Sequence, residues 1–128
     1  MIEVGVVFDS WGHAIYWHHP AENSMGAIPD SRDLWDVLWD HRDDLGGVAH
    51  THPWDGPTGP SGTDVTTFAA IEVGLGNTLL WPIVTMTHVA YFCQNVLTKE
   101  YVDAGPVNFQ NMDHWLDNIK KLRHLSRG

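Results

Sequence analysis

Thiols are nearly absent from this chain. Cys93 is the single cysteine among 128 residues. One thiol forms neither an internal disulfide nor a cysteine-based zinc site, so disulfide scaffolds and zinc ribbons are excluded. The first residues also lack the basic start and apolar stretch of a secretion signal. Together these absences predict a reducing, cytoplasmic location, and we interpret Cys93, which lies in an apolar segment, as a buried and inert thiol.

Positive charge and long apolar runs are also scarce. Lys and Arg number 7 against 16 Asp and Glu, which gives a formal net charge of -9. Phosphate backbones are bound by cationic side chains, so a nucleic-acid partner is not expected. No apolar run approaches the roughly 20 residues that a membrane-spanning helix needs, so a membrane partner is not expected either.

Histidine and tryptophan, by contrast, are abundant. The chain has 9 histidines and 7 tryptophans. Histidine is a common metal ligand, and tryptophan indicates a large aromatic core or an exposed aromatic surface. Hydrophobic residues make up 43% of the chain, which is typical of a globular protein. With a length close to one ordinary domain, the composition predicts a single domain over residues 1–128.

The pattern along the chain alternates strands with helices. Valine-rich or alternating segments predict strands at 3–8, 13–18, 47–52 and 97–103, with one or two more inside 78–93. Helical spacing predicts three helices, from Asp30 or Ser31 to about Asp43, from Ser61 onward, and from near Asn111 to the end. The segment 53–63 is predicted to be a loop. The fold class is therefore α/β, a mixed sheet flanked by helices.

Helical spacing also predicts which side chains are buried. In the first helix we expect Trp35 and Trp39 in the core, and in the last helix an apolar face that includes Trp115. The other residues predicted for that face are Met112, Leu116, Ile119 and Leu122.

The chemically informative segments are HTHP at 50–53 and SGTD at 61–64. Histidines at i and i+2 on a strand point to the same face, so His50 and His52 can converge on one ion. Asp64, at the start of a helix after a short loop, can supply a third ligand. Two imidazoles and one carboxylate leave a fourth tetrahedral position open, as in catalytic zinc sites.

This pattern resembles the JAMM signature of the MPN-domain (JAB-domain) zinc metalloproteases, in which His-Ser/Thr-His-Pro precedes Ser-x-x-Asp by a short spacer. Here the spacer is one residue longer. The predicted order of elements is also similar over about residues 3–95. The resemblance implies a single MPN-like (cytidine-deaminase-like) domain. Since the chain has little room for the insertions that grip ubiquitin in eukaryotic members, it implies a compact prokaryotic or phage-type member.

The resemblance also implies a role for each residue. His50, His52 and Asp64 would bind Zn²⁺, Ser61 would hydrogen-bond the oxyanion, and a glutamate on the first strand would be the general base. Glu3 is the favoured glutamate, and Glu22 is the alternative. The implied activity is zinc-dependent hydrolysis of a peptide or isopeptide bond in a protein or peptide substrate, such as a ubiquitin-like or sulfur-carrier tail or a phage tail protein.

Other interpretations stay open. Ser61 and Asp64 also match a helix capping box, which is a structural motif without chemistry. His18 and His19 with Glu22 could form a second metal cluster, although solvent-exposed loop residues explain them as well. The main functional alternative is a non-catalytic scaffold or binding protein of the same fold.

Overall fold

The computed structural model describes residues 2–19 and 32–128, and within them the chain forms a mixed α/β fold. Six strands and three helices are present in these two ranges. In chain order they are β1 (Gly5–Asp9), β2 (Ala14–His18), α1 (Arg32–Asp40), β3 (Leu45–Thr51), α2 (Gly62–Leu75), β4 (Trp81–Val84), β5 (Val89–Gln94), β6 (Tyr101–Asp103) and α3 (Met112–Ser126). The prediction of a mixed sheet flanked by helices is confirmed.

All six strands belong to one sheet with the order β2-β1-β3-β4-β5-β6. The pairing of β3 with β4 is parallel, and the other pairs are antiparallel. Gly47 permits the close approach between β3 and the residue before β4, because a Cβ there would lie 1.8 Å from the Leu80 carbonyl oxygen. A side chain at position 47 would therefore separate the two parallel strands.

The sheet has a core on each face. Neighbouring residues of β1 point to opposite faces, so Val7 packs with α1 and α2 whereas Val6 packs with α3. The first core also contains Leu38, Phe68 and Trp81. The molecule is thus a three-layer arrangement, and β1 and β3 in the middle of the sheet are covered on both sides.

The first helix is shorter than its apolar pattern predicts, and it ends at Asp40 rather than near Asp43. Its buried residues are Leu34 and Leu38. The prediction that Trp39 lies in the core is wrong, since this side chain is 44% exposed. Trp39 instead stacks on Trp35 at 6.3 Å between ring centroids and lies under the Arg42 guanidinium.

Helix α2 is tied to the sheet by a buried carboxylate near its C-terminus. Glu72 accepts hydrogen bonds from the Leu79 backbone N–H at 2.7 Å, from the Trp81 indole at 3.3 Å, and from the Tyr101 hydroxyl. The helix ends at Gly76, whose φ of 70° lies in the left-handed region that glycine adopts without strain. These contacts fix the axis of α2 relative to β4 and β6.

Helix α3 covers the second core with Trp115, Ile119 and Leu122, as predicted. Leu116, which we also expected on the buried face, is 50% exposed. Cys93 is half-buried rather than fully buried. Within the two described ranges, no helix combines the length and apolar character required to cross a bilayer.

Candidate metal centre

The register between β1 and β3 brings Glu3 to the two histidines. Gly5 is opposite His50 in this antiparallel pair, and the Thr51 N–H donates to the Val4 carbonyl at 2.9 Å. Continuing this register by two residues places Glu3 opposite His52 and on the same face of the sheet. Glu3 therefore lies in the extended segment that leads into β1, two residues before the strand itself.

Asp64 reaches the same place from the first turn of α2. Ser61 is the N-cap of this helix, and its hydroxyl accepts the Asp64 backbone N–H at 3.0 Å. The Asp64 carboxylate accepts the Ser61 backbone N–H in return, also at 3.0 Å. This capping box is the motif expected from the sequence, and it aims the carboxylate toward the end of β3.

Three side-chain atoms converge at this point. The Nε2 atoms of His50 and His52 are 3.1 Å apart, and Oδ2 of Asp64 lies 3.1 Å from the second and 3.3 Å from the first. Ligand atoms around a tetrahedral zinc with bonds of roughly 2.0–2.1 Å are about 3.3 Å from one another. The triangle formed by these atoms thus has the size of one face of a zinc coordination tetrahedron.

The protonation of His52 also suits a metal ligand. Its Nδ1 atom lies 3.0 Å from the Thr58 hydroxyl oxygen, and that hydroxyl donates to the Gly59 carbonyl at 3.3 Å. With the hydroxyl hydrogen directed to Gly59, the Thr58 oxygen is free to accept from Nδ1–H of His52. The lone pair of His52 is then on Nε2, where it faces the Asp64 carboxylate. A cation is the natural partner of such a group of lone pairs.

Burial and the contacts within the cluster shift the pKa values of His50 and Asp64 in opposite directions. Burial lowers the pKa of His50, although the hydrogen bond and the charge of Asp64 oppose that effect, so the imidazole stays neutral. Burial raises the pKa of Asp64, but the close contacts of its carboxylate with the His50 and His52 imidazoles outweigh this effect and hold the pKa well below its usual range. Two buried imidazoles beside an ionised carboxylate are a suitable ligand set for zinc.

Glu3 has a different environment from Asp64. Burial raises its pKa to about 7, while His52 opposes this rise and Asp64 adds to it. The nearer carboxylate oxygen of Glu3 is 3.8 Å from His52 Nε2, and the other, Oε2, is buried without a hydrogen-bond partner in the described structure. The ligand atoms of Glu3, His50 and His52 lie within 4.8 Å of one another. Two carboxylates therefore border the imidazole pair, with Asp64 in closer contact.

Two further residues lie at the edge of the cluster. Ser61 is exposed beside Asp64, and its oxygen is already an acceptor in the capping box. Trp54 packs on His52 at 4.6 Å between ring centroids and is 47% exposed, so it forms part of the accessible rim. Thr58 was missed by the sequence analysis. The signal was weak, since it consists of one hydroxyl residue in a loop of prolines and glycines.

The alternative cluster of His18, His19 and Glu22 lies only partly within the described residues. Glu22 lies outside the described residues. His18 is on the same face of the sheet as His50, with Gly5 between them in the register. Its Nε2 atom is buried without a hydrogen-bond partner in the described ranges, and His19 is exposed. The described residues thus place Glu3, rather than His18 or His19, in contact with His52.

A separate cavity lies at the C-terminal end of α2. Its volume is about 400 Å³, and it shares no lining residue with the histidine cluster. Residues that line it are Ala69, Glu72, Val73, Gly76, Asn77, Thr78 and Gln94. The candidate metal centre is therefore defined by converging side chains and not by this cavity.

Comparison with models of known protein families yields no match, and comparison with curated proteins yields none either.

Proposed function

We propose that this protein is a zinc-dependent peptidase or isopeptidase of the JAMM/MPN type. The observation that carries the proposal is the convergence of His50 Nε2, His52 Nε2 and Asp64 Oδ2 at 3.1–3.3 Å. A protonated imidazole could neutralise one lone pair, but burial disfavours that charge on His50. Zinc neutralises all three donors together and leaves a fourth position for a ligand.

The order of elements supports an MPN-like fold. A glutamate-bearing segment and a hairpin partner come first, then a helix, the His-x-His strand and the helix that begins with Ser-x-x-Asp. Further strands then complete the sheet. This is the order that the resemblance implies, and it brings the glutamate, histidines and aspartate of the motif to one face of the sheet.

The proposed reaction is hydrolysis of an amide bond. When bound, zinc supplies Lewis-acid polarisation of the scissile carbonyl and of the attacking water. Glu3 accepts a proton from that water as it adds to the carbonyl carbon, and it passes the proton to the leaving nitrogen as the C–N bond breaks. Burial raises the pKa of Glu3 in the metal-free protein to about 7. A carboxylate that exchanges protons close to neutral pH suits both proton transfers.

Ser61 and Thr58 support this chemistry in different ways. Ser61 accepts a hydrogen bond through its oxygen, which leaves its O–H available to donate to the oxyanion. Thr58 holds His52 in the tautomer that presents Nε2. The substrate we propose is a protein or peptide, and Trp54 offers it an aromatic surface beside the cluster.

Elemental analysis and a cleavage assay test the proposal together. The purified protein should hold one zinc per chain, and replacement of both His50 and His52 with alanine should abolish it. A matched control replaces the exposed His41 and His124 with alanine and should keep the zinc. Equal zinc in the first variant would show that the site is elsewhere, with His18 and His19 the next candidates.

The cleavage assay uses a peptide library and isopeptide-linked peptide pairs, with products identified by mass spectrometry. We expect cleavage that is lost on zinc removal and in Glu3→Gln, a variant that should retain zinc. Stoichiometric zinc with no cleavage of either set would favour the non-catalytic scaffold. Cleavage that persists unchanged in Glu3→Gln would remove Glu3 from the mechanism.

A further inference from the structure

Two buried hydroxyl groups converge on the peptide bond that precedes Glu3. The Ser126 hydroxyl donates to the Ile2 carbonyl at 2.6 Å, and the Thr51 hydroxyl faces the same carbonyl at 3.4 Å. Ser126 lies in the last turn of α3, whereas Thr51 lies in β3 between the two histidines of the cluster. Both residues have no exposed surface.

Thr51 also holds the residue that follows Glu3. Its hydroxyl oxygen accepts the Val4 backbone N–H at 2.9 Å, and its own backbone N–H donates to the Val4 carbonyl at 2.9 Å. A strand carbonyl would normally accept at such a position, so the side chain replaces one backbone hydrogen bond of the ladder. The contact therefore depends on the hydroxyl group of Thr51 and not on the strand alone.

The hydroxyl of Ser126 donates to an acceptor outside its own helix. A serine inside a helix commonly bonds the carbonyl four residues earlier in its own helix. Here the hydroxyl leaves the helix to bond Ile2, and the Ser126 carbonyl accepts the Ile2 backbone N–H at 2.8 Å. The end of α3 thus contacts both polar groups of Ile2, which is 124 residues away in the sequence.

We propose that Thr51 and Ser126 are positioning residues for Glu3, an inference that rests on the proposed function. The Ile2–Glu3 and Glu3–Val4 peptide groups are held on either side of the carboxylate-bearing residue, and the Glu3 side chain is directed toward His52. Neither hydroxyl touches the cluster itself, because Thr51 points to the opposite face of β3 from His50 and His52. The C-terminal helix is therefore a structural part of the site that carries the general base.

The direct test needs neither metal nor substrate. Amide hydrogen exchange in the metal-free protein should show Val4 exchanging about tenfold faster or more in Thr51→Val, which keeps the shape and removes the hydroxyl. Thr51→Ser restores the hydroxyl and should restore protection. The control Thr98→Val changes an exposed threonine in the β5–β6 connection and should leave Val4 unaffected.

Two results from this test would overturn the proposal. Unchanged exchange at Val4 in Thr51→Val would show that the hydroxyl does not hold the segment. Equal acceleration at Val4 and at Val48, deep in β3, would show a general loss of stability instead of a local release. Ser126→Ala should likewise accelerate exchange at Ile2 and leave Val48 unchanged.

Enzyme kinetics then tests whether the Thr51 hydroxyl affects catalysis through Glu3. Thr51→Val should lower kcat on the order of 10²-fold with little change in KM, because a misplacement of about 1 Å has that effect. In a Glu3→Gln background the same substitution should have no further effect. An equal decrease in both backgrounds would overturn the proposal. A wild-type protein that cleaves nothing would refute the peptidase function alone, since the exchange data still decide whether the hydroxyls hold the segment.

Discussion

Oδ2 of Asp64 lies 3.1 Å from Nε2 of His52, and the same oxygen accepts the backbone N–H of Ser61. One carboxylate oxygen therefore takes part both in the capping box and in the histidine cluster. The two interpretations of the Ser-x-x-Asp motif are compatible for this reason. The capping box fixes the start of α2, and the start of α2 fixes where the carboxylate points.

Asp64→Asn should distinguish a ligand from a cap. The amide keeps an acceptor oxygen for the helix cap but loses the charge, so we expect zinc affinity to fall by more than about 10²-fold. Competition with a chromophoric chelator measures this change. Asp113→Asn, which alters the first-turn acidic residue of α3, is the matched control and should bind zinc normally. If Glu3→Gln weakened zinc more than Asp64→Asn, Glu3 would be the carboxylate ligand.

Thr58→Val should weaken zinc binding without removing a ligand. The valine cannot accept from His52 Nδ1–H, so the imidazole loses the contact that sets its tautomer and orientation. Loss of such an outer partner typically lowers metal affinity 10–100-fold. Thr58→Ser should bind as the wild type does in the same competition assay. An unchanged affinity in the valine variant would show that Thr58 does not control the tautomer.

Ser61→Ala should affect stability and turnover separately. Loss of the N-cap should lower the free energy of unfolding by about 1 kcal/mol, as measured by denaturant titration. If Ser61 also donates to the oxyanion, turnover should fall by roughly 10²–10³-fold while zinc stays bound. Ser61→Thr keeps the hydroxyl and should preserve most of both properties. A loss of stability with normal turnover would limit Ser61 to its role as a cap.

Glu3 should make the metal-free protein less stable as pH rises. Its pKa of about 7 in the folded state exceeds that of an unfolded glutamate, so between pH 4.5 and 7 the folded state binds more protons at this site. The contribution of Glu3 to stability then decreases with rising pH, at up to about 1.4 kcal/mol per pH unit. To isolate this effect, the free energy of unfolding of Glu3→Gln is subtracted from that of the wild type at each pH across this range. A difference that does not vary with pH would mean that Glu3 is solvated.

Glu72 and Tyr101 should be energetically coupled. The Tyr101 hydroxyl donates to the buried Glu72 carboxylate. Burial raises the pKa of the tyrosine well above its usual range, and the hydrogen bond to Glu72 adds to this rise. A double-mutant cycle with Tyr101→Phe and Glu72→Gln should yield a coupling free energy of at least about 1 kcal/mol. Additive effects in urea denaturation would show that the contact contributes little. Zinc content should be unaffected in all three variants.

Local patterns were sufficient to predict most of the fold. Strand alternation, helical spacing and the capping signal at Ser61 depend on residues that are close in sequence, and most elements lie near their predicted positions. The strand predicted at 97–103 is an exception, since it is confined to Tyr101–Asp103. The i, i+2 spacing of His50 and His52 likewise fixes their shared face before any partner strand is known. Trp39 shows the limit of such patterns. It follows helical spacing but lies outside the core, because α1 buries Leu34 and Leu38 and leaves it to stack on Trp35.

Contacts between segments that are distant in the sequence determine the features of the candidate site that local patterns do not predict. That Glu3 faces His52 follows from the pairing of β1 with β3, and a register shifted by one residue would have turned Glu3 to the opposite face. The contacts of Thr51 and Ser126 with Ile2 join segments whose proximity exists only after the sheet and α3 have packed. A one-dimensional pattern specifies the face a side chain occupies, whereas its partner is set by the three-dimensional packing of elements that are far apart in the chain.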